Sequence, residues 1–267
     1  MKLWDEFWFS PVDTEKMKRF RILSGVYFIL FYVMVLPHWN DWFLSDGILS
    51  GKFFPLNTLS LFSWVEKTGT IFPLWILGLM AGSLFLMGIK TRVMTVILFL
   101  LQLSMILRNP LVIGGGEFVM LPMLFYFMFA GQQGEIWPLR MMQLQFCLIY
   151  WLSVWGKLNG HESWLNGEFM YRFLINPMWS HWSLSAIVTH KTISALMTWS
   201  VLLFELSFPL LIWWKKTRGP VLFLAIIFHL SIAVFVKQVF FLSFAMIICL
   251  TLFFDKLNTI HISKEDI

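Results

Sequence analysis

Long apolar runs separated by short polar stretches make up most of the chain. Residues 22–40, 68–89, 93–107, 118–134, 141–156, 192–214, 219–236 and 238–254 carry no Asp, Glu, Lys or Arg, except for Glu205 in the sixth run. A helix that crosses a bilayer needs about 20 mostly apolar residues, and none of these runs shows the period-two alternation of a barrel strand. The pattern predicts an all-α fold: a polytopic membrane helical bundle of about eight transmembrane helices with interfacial helices. The count falls to seven if one of the last two runs, divided only around Lys237, is re-entrant. The run at 93–107 is short, but Arg92 and Arg108 at its ends can snorkel to the interfaces.

Residues 1–267 read as one transmembrane domain with two accessory stretches. At 1–19, Trp4, Phe7, Trp8 and Phe9 precede a basic cluster beginning at Lys16, the pattern of a segment lying in the headgroup region. At 157–191, aromatics from Trp164 to Trp182 alternate with Glu168, Arg172 and His181, which predicts an outer-face interfacial helix roofing whatever lies beneath. The N-terminus is rich in charge and aromatics, unlike a signal peptide.

Composition agrees with this reading. The chain is 58% hydrophobic and 13% charged, about half the charge of a soluble domain, so it cannot cover a water-exposed surface and its partner is the lipid bilayer. The net charge of +5 comes from basic residues at the ends of apolar runs. Membrane orientation explains them, and a nucleic-acid reader is excluded. With the N-terminus inside, 13 of the 20 Lys and Arg fall on the inner side and seven on the outer. The bias predicts cytoplasmic N- and C-termini in a multi-pass cell-membrane protein, with 38–67, 108–117 and 157–191 outside. Cys147 and Cys249 sit in apolar runs and form no zinc or disulfide framework.

Ionisable residues inside such runs are costly and therefore candidates for function. Glu205 and His229 lie in consecutive runs joined by a tight turn, so the carboxylate and imidazole are expected within hydrogen-bonding reach, directly or through one water. They serve either to pin two helices or to relay a proton. Lys157, at the outer edge of the fifth run, is either a desolvated base or a snorkelling anchor. Arg108 and Glu117 flank Gly114, Gly115 and Gly116, a flexible turn that can also offer backbone N–H groups to an anion. With His161 and Trp164 they complete a candidate ligand-binding set on the outer face. The spacing of His161, His181 and His190 fits no metal template.

The segments Phe9-Ser10-Pro11-Val12-Asp13, Phe20-Arg21-Ile22-Leu23-Ser24-Gly25, Ser45-Asp46-Gly47-Ile48-Leu49, Gly115-Gly116-Glu117, Tyr150 through Gly167, and Phe228-His229-Leu230 together resemble the HTTM domain. This is the membrane domain of vitamin K-dependent gamma-carboxylase and its bacterial relatives. The resemblance covers nearly the whole chain and implies a short bacterial inner-membrane member without the large extramembrane domain. It also implies that Lys157, in Gly156-Lys157-Leu158, is the base that deprotonates a quinone-type hydroquinone, with Glu205 and His229 in support. Three functions follow as expectations. The first is a membrane enzyme, carboxylase-like or quinone-linked, whose outward cavity binds a quinone-like or lipid-like ligand. The second is a non-enzymatic membrane partner in maturation or export of a secreted peptide toxin. The third is a small transporter.

Overall fold

The computed structural model describes residues 2–11, 14–47, 57–130, 136–182 and 189–255. Val12, Asp13, Ile48, Leu49, Lys52, Gly134, Lys256 and Lys264, which enter the expectations above, lie outside them. The described residues form helices joined by turns, with an isolated antiparallel bridge between Ser180 and Val236.

A short helix, α1 (Lys2–Phe9), precedes α2 (Thr14–Val35). Two short helices, α3 (Trp39–Phe43) and α4 (Leu61–Val65), lead to α5 (Phe72–Met87), α6 (Thr91–Arg108), α7 (Gly115–Phe127) and the 24-residue α8 (Trp137–Gly160). The stretch expected as one flat helix is instead broken into α9 (Glu162–Leu165) and α10 (Phe169–Leu174), followed by turns. Gly167, at φ +81°, makes the break, and a β-carbon there would lie 2.7 Å from Ala195. The last three helices are α11 (Lys191–Leu211), α12 (Lys215–Phe235) and α13 (Phe240–Leu250).

Each of the eight apolar runs overlaps one helix, of 11 to 24 residues. Four segments are long and apolar enough to cross a membrane by length and composition: Thr14–Phe43, Thr91–Arg108, Lys191–Leu211 and Lys215–Phe235. Phe72–Met87, Gly115–Phe127 and Phe240–Phe253 are shorter apolar helices. Pro73 and Pro138 stand in the first turns of α5 and α8, where a missing N–H costs nothing.

Helix α2 packs most extensively on α5, and α7 sits among α6, α8 and α13. In lipid there is no hydrophobic drive between helices, so small residues that allow close approach do the joining. A β-carbon at Gly25 would lie 2.6 Å from Leu86 Cβ, and one at Gly116 would lie 2.6 Å from the Phe241 carbonyl oxygen. Phe20, Tyr27, Phe85, Phe146 and Phe208 fill the core between these helices.

The bundle has two polar ends. At one, Asp255 pairs with Lys16 (3.1 Å) and Arg218 (2.5 Å), Arg19 donates to the Phe254 carbonyl, and Arg140 donates to the Phe7 carbonyl. The other end holds Arg108, Lys157 and Lys237, whose side chain donates to the Pro177 carbonyl at 2.6 Å. The second end is where the expected site residues gather.

Candidate functional site

Helix α8 builds the site by spacing. Tyr150, Ser153 and Lys157 are separated by three and four residues and so share one helix face. Helix α11 packs against that face and brings Glu205 to Lys157. The Lys157 ammonium donates to Ser153 Oγ at 2.6 Å, to Glu205 Oε1 at 2.5 Å, and to Glu205 Oε2. The Lys157 side chain is 18% exposed and that of Glu205 is 8% exposed, so this pair sits largely out of water. Trp164 of α9 covers it, with the ammonium 5.2 Å from the ring centroid in a cation–π contact.

His229 on α12 forms a second pair with Tyr150, about two turns deeper along α8 than Lys157. Its Nε2 and the Tyr150 hydroxyl share a 2.7 Å hydrogen bond, and both side chains are buried. Tyr150 stacks on Phe208, with centroids 4.3 Å apart. The His229 Nδ1 has no hydrogen-bond partner among the described residues.

The expected direct Glu205–His229 bond is therefore not formed. Glu205 turns to Lys157 and His229 turns to Tyr150, because α8 supplies the partner for each of the two helices that the tight turn joins. Helices α11 and α12 touch only lightly despite that turn. Two residues that the sequence reading does not single out for the site are Tyr150 and Ser153. Their signal is the helical spacing back from Lys157.

An aromatic ladder leads away from the pair. Trp164 stacks on Phe169 at 3.8 Å, Phe169 on Phe173 at 5.4 Å, and Phe173 on Trp179 at 6.4 Å between centroids. The stretch is held to α11 through Gly167, whose carbonyl accepts from Ser194 Oγ and Thr198 Oγ1. A cavity of about 620 Å³ lies between residues 166–172 and Thr189, Lys191 and Ser194.

The other expected site residues stand in separate networks. Arg108 is buried and donates to the Phe43 carbonyl (2.7 Å), Ser63 Oγ (3.0 Å) and Glu66 Oε2 (2.7 Å), tying α3 and α4 to the end of α6. Glu117 accepts from the Tyr27 hydroxyl at 2.6 Å, joining α7 to α2. His161 caps α9, its Nδ1 accepting from the Ser163 N–H at 3.3 Å.

Glu66 carries a pH prediction. Partial burial pushes its carboxyl up, but the Ser45 N–H at 2.7 Å and the Arg108 guanidinium outweigh that and hold it below the usual carboxylate value. A lowered folded-state value means the stabilisation is whole above the ordinary Glu value of about 4.3 and is lost as pH falls through the lower one. Charge-assisted bonds of this kind are worth about 1.5–3 kcal/mol. The thermal midpoint of the purified protein is expected to fall below about pH 4, and Glu66→Gln is expected to start lower and lose that part of the acid sensitivity. An unchanged acid profile in Glu66→Gln would remove the pair from the account.

Fold and site define an all-helical membrane protein with a buried lysine–carboxylate pair at one end of the bundle. The HTTM domain family matches residues 122–257, a span that includes Tyr150, Lys157, Glu205 and His229, and the chain belongs to that family. No curated protein and no solved structure matches it.

Proposed function

We propose that the chain is a multi-pass membrane protein of about eight spans, acting at its outer face on a quinone-like or lipid-like ligand with Lys157 as base. The observation that carries this is the Lys157–Glu205 pair, held beneath Trp164 and set about two turns of α8 above Tyr150–His229. A lysine paired with a carboxylate is an ammonium first, and an ammonium is no base. In a site of low dielectric, however, passing the proton to Glu205 turns two charges into two neutral groups and removes their desolvation cost. The resulting amine can take the proton of a hydroquinone O–H, leaving the hydroquinone anion beside the ammonium. Tyr150 and His229 are placed to hold a second oxygen of such a ligand. The flat faces of the Trp164–Phe169–Phe173 ladder suit an aromatic ring.

The charge bias that orients the runs supports both termini on the cytoplasmic side with the Lys157 end outside, and the family resemblance supports a bacterial inner membrane. Residues 1–19 then form an interfacial segment of a single domain, and 157–191 its outer-face cover. Arg108, Glu117 and His161 shape this face from outside the immediate site.

A second reading rests on the same pair. A lysine held by both carboxylate oxygens is also what a helix latch looks like, and the outer face exposes Met178, Trp179 and Trp182. In that reading the protein is a non-enzymatic partner that presents this face to a secreted peptide. Binding of a naphthoquinone to the full chain in lipid nanodiscs, followed by calorimetry, separates the two. Trp164→Leu is expected to weaken binding by about fivefold to tenfold, the worth of one aromatic stacking contact. Absence of saturable binding to the wild type would favour the peptide partner.

A further inference from the structure

Some cations at the Asp255 end of the bundle are held by its own polar groups, and others are not. Lys16 and Arg218 share Asp255, Arg19 donates to the Phe254 carbonyl, and Arg140 to the Phe7 carbonyl. Lys18, Lys90 and Arg92 form no ion pair with the described residues. Together with Arg21 they line one groove of about 830 Å³ between α2, the α5–α6 turn and the ends of α7 and α8. No carboxylate stands among the described residues that line it.

Arg21 is fixed in place rather than free. Its Nη1 donates to the carbonyls of Phe85 (2.6 Å) and Leu86 (2.5 Å) at the end of α5. Gly88 makes that approach possible, because a β-carbon there would lie 3.0 Å from Arg21 Nη1. The turn that follows lifts Lys90 into a left-handed conformation (φ 44°) beside it. Beneath the four cations the floor is apolar, with Met87, Val93 and Phe129 exposed along it.

We propose that this groove binds an anionic phospholipid, its phosphate held by Lys18, Arg21, Lys90 and Arg92 and an acyl chain lying along the apolar floor. Charge complementarity selects an anion. The apolar floor selects one that carries hydrocarbon, because a soluble phosphate leaves Met87, Val93 and Phe129 uncovered. Basic pockets between helices at the membrane surface are the usual recognition sites for acidic headgroups. The inference is independent of the chemistry at the Lys157 end.

The test uses the full chain in detergent with equal amounts of phosphatidylglycerol and phosphatidylcholine, read by native mass spectrometry. The wild type is expected to retain phosphatidylglycerol in preference. Each surface cation is worth about a fivefold change in binding, so Lys18→Gln with Arg92→Gln is expected to weaken retention about 30-fold. The control, Lys215→Gln with Lys216→Gln, removes equal charge from the neighbouring α11–α12 turn, outside the groove, and is expected to change little. Thermal melting checks that both variants are folded. Equal loss in the two double variants would reduce the effect to diffuse surface charge and overturn the proposal. So would equal retention of phosphatidylcholine, or displacement by inorganic phosphate beyond that caused by sodium chloride of the same ionic strength, which would mark a site for a free anion.

Discussion

Lys157→Met is expected to destabilise the folded protein by about 3 kcal/mol, and adding Glu205→Leu is expected to recover most of that loss. Removing one member of a buried ion pair leaves an uncompensated charge, which costs about 3–5 kcal/mol, whereas replacing both members with apolar groups of similar size is often neutral. The pair is shielded by Trp164 and only 18% and 8% exposed on its two side chains, so solvent does little to relieve the orphaned carboxylate. Unfolding midpoints of the wild type, Lys157→Met, Glu205→Leu and the double variant form a cycle that isolates the coupling. Additive losses would mean that the two side chains act independently, and both readings of the site would fail.

The second large effect concerns chemistry rather than stability. Lys157→Arg keeps a cation opposite Glu205 and so preserves the latch, but a guanidinium does not give up its proton near neutral pH. General-base catalysis by a positioned side chain contributes about 10²–10⁴-fold. The rate at which the protein promotes air oxidation of a reduced naphthoquinone, followed as dioxygen uptake, is therefore expected to fall about a hundredfold or more in Lys157→Arg, with expression and melting close to the wild type. A peptide-docking partner would tolerate the same change.

The apolar runs in the sequence locate the helices of the bundle, four of them long and apolar enough to cross a membrane, because a segment in lipid must satisfy its own backbone and only a helix does so alone. Glu205, His229 and Lys157 stand out in the sequence because ionisable groups are rare in such runs. Their partners are harder to read. Chain proximity suggests that Glu205 and His229 face each other across the α11–α12 turn, yet α11 packs on α8, while α12 packs on α13 and reaches α8 through the Tyr150–His229 bond. That preference depends on three-dimensional packing around Phe208 and Tyr150, which no spacing along one helix encodes. Arg108 has the look of a ligand-binding residue at the end of a run. Its partners, Phe43, Ser63 and Glu66, are more than 40 positions away in sequence, so its role in joining α3 and α4 to α6 appears only in the folded chain. The groove at the Asp255 end is hidden for a related reason. Lys18, Arg21, Lys90 and Arg92 read as orientation charges in the sequence, and only the fold separates them from the neighbours that share Asp255.

The central claim is that Lys157 takes a proton from a bound hydroquinone, and the ultraviolet spectrum of that ligand reports it directly. The full chain in nanodiscs, loaded anaerobically with a naphthohydroquinone at neutral pH, is expected to show the band of the hydroquinone anion. Lys157→Arg, loaded to the same occupancy, is expected to show the neutral form. The same anion band in both proteins, or the neutral form in both, would contradict the assignment of Lys157 as the base.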